Sequence, residues 1–334
     1  MKKWRKQMKK ALLILMVVAL GCSMVFAQAA AEEKDFPSKT VTAVVGWNAG
    51  GGADIVFRAL AEVFPKYANG QTMVVKNEGA AAGVPAITNF KNSTAADGYT
   101  IMHWNVAHLI KTHMTSVPFT ATEFVPVCQV VASFNYLVVN ADAKWNTLDE
   151  FLADAKANPE SILMGNAGAG GGNHMAALLF EQATGTKYVH VPFSGGGPAI
   201  TGLMSGDCDA VMANAPEGIA NVQGGQLKVL AVFSQNRLEA IPDAPTGLES
   251  GVDLVLEQWR GVVVPQGTPE AVVAKLESIF KQCVEDPVYI EKMKALGSVP
   301  VFKTGAEFGA MVAADDKRYE QIIKDGGFGD RYTK

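Results

Sequence analysis

Three glycine-rich segments each stand between a short apolar run and the start of a helix pattern, at residues 46–54, 165–174 and 192–198. Other apolar runs also precede helix patterns, so strand and helix alternate along most of the chain. Regular β-α-β alternation gives helices packed on sheets with right-handed crossovers. The sequence therefore predicts an α/β fold in which each domain is a mostly parallel sheet flanked by helices.

The pattern locates most of the elements. Two capping boxes, Thr147 to Glu150 and Thr304 to Glu307, predict helix starts, and Pro269 begins a helix that continues to 284. The last helix is expected to continue to about residue 324. Strands are predicted at 40–45, 72–75, 100–103, 125–131, 136–139, 163–165, 188–191, 210–213 and 227–233.

The chain has 334 residues, enough for about two domains. No low-complexity linker separates two halves, so we expect the chain to cross between the domains more than once. The apolar segments 136–140 and 257–264 are the predicted crossings. They divide the chain into lobe I, residues 34–138 plus 262–334, and an inserted lobe II, residues 139–261.

The N-terminus has the features of a secretory signal peptide. Six Lys and Arg residues fall within the first ten positions, an apolar stretch covers 11–20, and a small-residue cleavage pattern ends at Ala27. We therefore expect residues 1–27 to be removed and the mature protein to be periplasmic. An uncleaved membrane anchor is one alternative, although the stretch is short for a span. Lipid attachment at Cys22 is another, although Ala19 stands where such sites usually have Leu.

Charge and cysteine content exclude several classes of function. Cleavage after Ala27 would leave 23 basic residues against 33 acidic ones, a net charge of −10, which argues against a nucleic-acid partner. Three cysteines would remain, Cys128, Cys208 and Cys283, without C-x-x-C spacing. An odd number of this kind argues against a zinc site or a disulfide framework, but leaves one bridged pair open.

The glycine-rich segments have the properties of an anion-binding site. Glycine lets a ligand approach the backbone N–H groups, and a helix start adds unpaired donors and a positive dipole end. In open α/β sheets such loops lie at the carboxyl ends of strands, where ligands bind. Neither the loops nor their flanks contain Lys or Arg, so we expect backbone dipoles to hold the anion. The alternative is that these glycines only make turns.

Enzymatic motifs fail when they are checked. The G-x-G-x-x-G pattern of dinucleotide-binding sites begins at Gly168, but Asn173 stands in place of its third glycine. Ser194 has Pro192 two residues before it, where a nucleophile elbow needs glycine. His103, His108 and His113 are five residues apart, which does not stack metal ligands on one helix face. His174 either touches ligand or packs locally, and Asp54 either caps a helix or orients a water. Asp315, Asp316, Lys317 and Arg318 are expected on a solvated helix face.

Several motifs together resemble the Bug (TctC-like) family of solute-binding proteins of tripartite tricarboxylate transporters, and the resemblance covers nearly the whole mature chain. The matching segments are 47–54 with its Gly-Gly-Gly-x-Asp, 77–83, Asp97-Gly98-Tyr99-Thr100, 165–174, and His190-Val191-Pro192-Phe193 through Pro198-Ala199. The resemblance implies a two-domain "Venus flytrap" of the type II-like periplasmic-binding-protein class, without enzymatic activity, metal or cofactor.

The same resemblance implies the ligand and the partners. A small organic carboxylate, a di- or tricarboxylate or related acid, would lie between the lobes, and a monomeric receptor would present it to large and small permease subunits by hinge closure. Carried over to this sequence, the ligand-binding residues are Trp47, Asn48, Gly51, Gly52, Asp54, Asn166, Ala167, Gly168, Ser194, Gly195 and Asn214.

Departures from the family pattern leave the ligand open. Glu78 stands where Arg is usual, Asn166 and Ser194 replace Ser and Lys, and Glu217 replaces a small polar residue. An acidic side chain near the rim would disfavour a triply charged ligand or pair with an ammonium group. Two other functions compete with transport: a sensory module that docks on a membrane receptor kinase, and an exported hydrolase.

Overall fold

The structure, a computed structural model, describes residues 36–330. The predicted signal peptide and the lipidation site at Cys22 lie outside these residues. Within 36–330, no helix is both long and apolar enough to cross a membrane. The strands are β1 (Val41–Val45), β2 (Met73–Asn77), β3 (Thr100–Asn105), β4 (Val125–Asn140), β5 (Leu163–Asn166), β6 (Val189–Pro192), β7 (Ala210–Asn214), β8 (Leu227–Val232), β9 (Glu257–Val264) and β10 (Val299–Thr304).

Helices alternate with the strands along most of the chain, as predicted. They are α1 (Gly52–Val63), α2 (Val84–Ser93), α3 (Val106–Met114), α4 (Leu148–Ala157), α5 (Gly172–Thr184), α6 (Gly196–Ser205), α7 (Ile219–Gln223), α8 (Glu270–Glu285), α9 (Pro287–Ala295) and α10 (Gly305–Asp325). The strand–loop–helix layout of all three glycine-rich segments is confirmed, since each loop joins a strand to α1, α5 or α6.

The strands form one connected sheet with two sections. The first section has the order β2-β1-β3-β9-β4, and β10 pairs with β4. The second section has the order β4-β7-β5-β6, and β8 also pairs with β4. The prediction of mostly parallel sheets is wrong in detail: β1, β2 and β3 are parallel, as are β5, β6 and β7, but every pairing made by β4 or β9 is antiparallel.

Strand β4 joins the two sections. Its first part, up to Phe134, pairs with β9, and its second part, from Asn135, pairs with β7 and β8. The two strands predicted at 125–131 and 136–139 are therefore one strand of 16 residues. The chain returns beside this point, because the N–H of Asn135 donates to the carbonyl of Leu256 at 3.1 Å.

Local capping chemistry fixes several helix starts. The Thr304 capping box is complete, with its hydroxyl accepting from the Glu307 N–H and the Glu307 carboxylate accepting in return. At α4 the Thr147 hydroxyl accepts from the Glu150 N–H, but the Glu150 carboxylate accepts from the N–H of Asn146 at 2.6 Å. This second box is therefore displaced by one residue on its acidic side.

Helix α10 corrects a further prediction. Asp315 accepts from the indole Nε1 of Trp259 at 2.7 Å, and Asp316 lies 2.6 Å from Nε2 of His113. Both carboxylates are half-buried against the sheet and α3, so the solvated face predicted for this segment holds for Lys317 and Arg318 alone. Cys128, Cys208 and Cys283 are buried free thiols, so no pair of them is bridged.

Candidate functional site

The three glycine-rich loops line one cleft of about 500 Å³ between the two sheet sections. From the first section come 47–53, Gly79, Ala82, Asn105, Ala107, Lys111, Gln258 and Arg260, and from the second come 167–173, 194–198, Asn214 and Glu217. The loops therefore converge as expected for strands whose carboxyl ends meet at one edge.

Each loop ends in a helix whose N-cap and first helical position are both glycine. Gly51, Gly171 and Gly195 are the N-cap residues of α1, α5 and α6, and no side chain caps any of the three. The first internal helix bonds begin at Ile55, Met175 and Ala199. The N–H groups of the first turns are therefore without acceptors within residues 36–330, and their helix dipoles point into the cleft.

Nine of the eleven predicted ligand-binding residues line this cleft. They are Trp47, Asn48, Gly51, Gly52, Ala167, Gly168, Ser194, Gly195 and Asn214. Their contact with a ligand is a prediction.

The other two predicted residues, Asp54 and Asn166, lie behind the loops. Asp54 is 3% exposed, and its carboxylate accepts from the N–H of Gly50 and from Nε of Arg58, both at 2.9 Å. Burial opposes ionisation, but these bonds outweigh it and lower the pKa of Asp54. Asn166 accepts from the N–H of Gly168 at 3.0 Å. Both side chains thus hold loop backbone in shape.

His174 packs locally and is not among the residues that line the cleft. Its Nδ1 accepts from the N–H of Gly170 at 3.0 Å, and its ring meets that of His190 edge-on. Desolvation and the neighbouring His190 lower the pKa of His174 to about 4, so the neutral ring keeps its acceptor at pH 7. This imidazole fixes the second loop just as Asp54 fixes the first.

The first loop packs on the buried imidazole of His108, which in turn contacts the buried imidazole of His103. His103 and His108 are fully buried, and the ring of His108 stacks on Trp47 with centroids 5.4 Å apart. Burial lowers the pKa of His108 to about 3 and that of His103 well below its usual value. No cluster of three or more metal-ligating side chains occurs in the part of the chain that the structure describes.

The sequence predicts that backbone dipoles hold the anion, and the structure adds two cations to the residues that line the cleft. Arg260 lies on β9 and is 5% exposed; its Nη1 donates to Ser133 Oγ and its Nη2 donates to Asn214 Oδ1 at 2.8 Å. No carboxylate within 36–330 is within 4.0 Å of its guanidinium. Lys111, on α3, is half-buried at the same cleft.

A carboxylate also belongs to the cleft. Glu217 Oε2 accepts from Asn173 Nδ2 at 3.1 Å and from the Asn214 N–H at 3.4 Å. Desolvation raises the pKa of Glu217, while Arg260 and the two hydrogen bonds offset part of that rise. A neutral chain of amides extends the network, since Gln258 donates to Asn135 and Asn135 donates to Asn173.

Arg260 and Lys111 were missed because neither lies in a loop. Arg260 is a single cation in the otherwise apolar run 259–264, and a buried charge requires partners. That signal marks Arg260 as functional but does not locate it at the cleft. Its position depends on β9 lying between β3 and β4.

Comparison with known proteins identifies the family. Residues 56–328 match the tripartite tricarboxylate transporter family receptor, TctC. A Cupriavidus necator protein described as a UPF0065 protein in the gbd 5' region is 30% identical over 311 residues, 92% of this chain and 93% of its own. BugT of Bordetella pertussis is 28% identical over 297 residues, 87% of this chain and 90% of its own.

Solved structures share the fold. The periplasmic binding protein BugD has a TM-score of 0.81 at 28% identity, covering 88% of this chain and 99% of its own. Two Rhodopseudomonas palustris proteins, both 24% identical, are MatC with bound malate, TM-score 0.78, and Rpa4515 with adipate, TM-score 0.82. They cover 86% and 88% of this chain and 100% and 99% of their own.

These matches confirm the predicted α/β class of two-domain periplasmic binding proteins. The chain belongs to the TctC family of tripartite tricarboxylate transporter receptors, which are periplasmic solute-binding proteins and not enzymes.

Proposed function

We propose that this protein captures a small organic carboxylate in the cleft and delivers it to the large and small membrane subunits of a tripartite tricarboxylate-type transporter. One observation carries the proposal: unpaired helix N-termini and the buried Arg260 converge on a cleft of about 500 Å³ between two sheet sections. A volume of this order suits a small ligand.

The first loop provides the strongest carboxylate site. An ideal Cβ on Gly52 would lie 3.0 Å from Arg260 Nη2, so the guanidinium lies directly behind the start of α1. A cation beside a positive helix end is unfavourable until an anion joins them. A ligand carboxylate at the N–H groups of Gly52 and Ala53 would satisfy both. The relatives with malate and adipate support a carboxylate ligand for this chain.

Contacts from both sections would hold the ligand. We assign ligand contact to Trp47, Asn48, Gly51 and Gly52 of the first section, and to Ala167, Gly168, Ser194, Gly195 and Asn214 of the second. Asp54 and Asn166 act by holding their loops. A ligand that bridges the sections would shift the population toward a closed form.

The hinge is proposed where the chain passes between sections. The change of pairing on β4 supports one crossing at Phe134 and Asn135, and the adjoining return strand supports the other at Leu256 and Glu257. The first point is one or two residues before the predicted crossing 136–140, and the second lies at the start of the predicted crossing 257–264. Crossings there would move the predicted lobe boundaries, after 138 and before 262, four to five residues toward the N-terminus.

Calorimetry of protein unfolded, dialysed and refolded to remove bound ligand tests the capture. We expect one site per chain with micromolar affinity for at least one acid in a panel of C3 to C6 mono-, di-, tri- and aminocarboxylates. We also expect a smaller radius of gyration in X-ray scattering of the complex, at a mass that fits a monomer. Absence of binding by every acid in the panel would contradict the proposal.

A further inference from the structure

We infer that the cleft selects a ligand carrying a carboxylate at one end and an ammonium group at the other, and that Glu217 binds the ammonium group. The inference rests on the proposed function, since it names the ligand class for the same cleft. It follows from how charge is distributed between the two sides of the cleft.

The side of the cleft that the first sheet section forms, called the first side, is cationic. Arg260 lies behind the start of α1, and its buried Nε donates to no acceptor within residues 36–330. Lys111 lines the same side and forms no ion pair in the described part of the chain. Two cations and one helix N-terminus therefore face the ligand with no protein carboxylate among them.

The side that the second sheet section forms, called the second side, already contains a carboxylate, that of Glu217. An ideal Cβ on Gly196 would lie 1.8 Å from Cδ of Glu217, so the carboxyl group lies against the start of α6. The same group accepts from Asn173 in the first turn of α5. Glu217 thus lies near the starts of two helices, where helix dipoles favour negative charge, and its own charge opposes a second ligand carboxylate there.

Asn214 keeps the two charges apart. Its Oδ1 accepts from Arg260 at 2.8 Å, while its backbone N–H donates to Glu217 Oε2 at 3.4 Å. Arg260 and Glu217 therefore do not neutralise each other by direct contact. Both hydrogen bonds to the Glu217 carboxylate use Oε2, and no donor within 36–330 reaches Oε1. Oε1 is therefore unpaired but not fully buried. Because Glu217 lines the cleft, a ligand in the cleft can reach this oxygen.

A ligand that satisfies both groups is dipolar. A carboxylate completes the first side, and an ammonium donates to Oε1 of Glu217 on the second. A dicarboxylate would bring like charge against Glu217, which costs affinity. Specificity here combines attraction for the ammonium with repulsion of a second carboxylate.

Matched ligands test the inference on the wild-type protein by calorimetry at pH 7. The pairs are succinate with 4-aminobutanoate, glutarate with 5-aminopentanoate, adipate with 6-aminohexanoate, and glutarate with glutamate. In at least one pair we expect the amino acid to bind about tenfold or more tightly than its partner, and N-acetylation to remove that advantage.

The variant Glu217→Gln keeps an oxygen for Asn173 and removes the charge. For the pair that shows selectivity, we expect the affinity ratio to shift toward the dicarboxylate by about tenfold or more. The matched control is Glu78→Gln, because Glu78 pairs with Lys76 at 2.5 Å and does not line the cleft. Its ratio should stay within about twofold of wild type.

The outcomes separate the two proposals. Dicarboxylates that bind as well as or better than every amino partner, in the wild type, overturn the ammonium inference and leave carboxylate capture standing. This arm needs no variant and holds even if Glu217→Gln fails to fold. A folded Glu217→Gln with an unchanged ratio also overturns it. Absence of binding by every ligand in both classes overturns the proposed function itself.

Discussion

The helices α1 and α6 begin in the same way and differ in what lies behind them. Both start on a Gly-Gly pair without a side-chain cap, and both direct free N–H groups into the cleft. Arg260 lies behind Gly52 of α1, whereas Glu217 lies against Gly196 of α6. The two helix starts are therefore alike in backbone but differ in charge: the start of α1 favours an anion, whereas the start of α6 already has a carboxylate beside it. Ligand polarity is set by residues that come from elsewhere in the chain.

Acidification should have the largest effect on stability, because it favours protonation of the buried imidazoles that pack near the first and second loops. In the unfolded chain His103, His108 and His174 take up protons near pH 6.5. In the folded protein burial keeps them neutral, with pKa values of about 3 for His108 and about 4 for His174. The unfolded state thus binds more protons below pH 6.5, and stability is lost as pH falls from there toward 4. Each imidazole contributes at most ~1.4 kcal/mol per pH unit, so the three together contribute at most ~4 kcal/mol per pH unit.

Urea unfolding at pH 7, 6 and 5 measures this loss. The variant His108→Phe, which keeps an aromatic ring against Trp47, should reduce the slope by roughly a third. A free energy of unfolding that does not change between pH 7 and pH 5 would show that these imidazoles take up protons in the folded state.

Removal of the cation behind α1 should have the next largest effect. Arg260→Gln keeps a polar amide donor on a shorter side chain, in place of the two nitrogens that donate to Ser133 and Asn214, and loses the charge. We expect carboxylate affinity to fall about 10- to 100-fold, since a hydrogen bond to a charged group contributes about 1.5–3 kcal/mol. Calorimetry measures the change, and thermal unfolding confirms that the variant is folded. Wild-type affinity in a folded Arg260→Gln would mean that α1 does not need its cation.

Two adjacent glycines test the packing behind α6. Gly196→Ala would force its Cβ against Glu217, whereas an ideal Cβ on Gly197 meets no atom within 4 Å. We expect Gly196→Ala to destabilise the protein by ~1–3 kcal/mol through overpacking. Gly197→Ala should be neutral or stabilising, because alanine is the better helix former. Equal melting temperatures for the two variants would contradict the placement of Glu217.

The anchor of the first loop should show the smallest effect. Asp54→Asn loses charge from the bonds to Gly50 and Arg58, and Arg58 is 55% exposed, so solvent screens part of that interaction. We expect a loss of about 1 kcal/mol in chemical denaturation. The control is Glu239→Gln at an exposed ion pair with Lys294, 3.0 Å long, which should change stability by less than ~0.5 kcal/mol. If both variants behave alike, Asp54 does not anchor the loop.

Local sequence predicted what local chemistry determines. The helix starts at Gly52, Gly172 and Gly196 follow from glycine and strand patterns. The start at Thr304 follows from its capping box. Most of the cleft lining was predicted for the same reason, since the loops follow strands whose ends share one edge.

The remaining features depend on tertiary structure. Strand β10 was not predicted, because it is an edge strand with Pro300 and Lys303 and lacks an alternating pattern. Helix α3 was not predicted, because it is buried on nearly all sides and its sequence looks like a continuation of the apolar strand β3. Whether β4 was one strand or two, and which strand brought Arg260 to the cleft, depended on antiparallel pairings distant in sequence.

The most direct measurement is a crystal structure of the protein with a carboxylate that binds it in calorimetry. We predict that the carboxylate oxygens lie within hydrogen-bond distance of the N–H groups of Gly52 and Ala53, on the side of Arg260, with Glu217 unmoved against Gly196. A carboxylate bound at the N–H groups of Gly196 and Gly197, with Glu217 displaced from them, would contradict the assignment of opposite roles to the two helix starts.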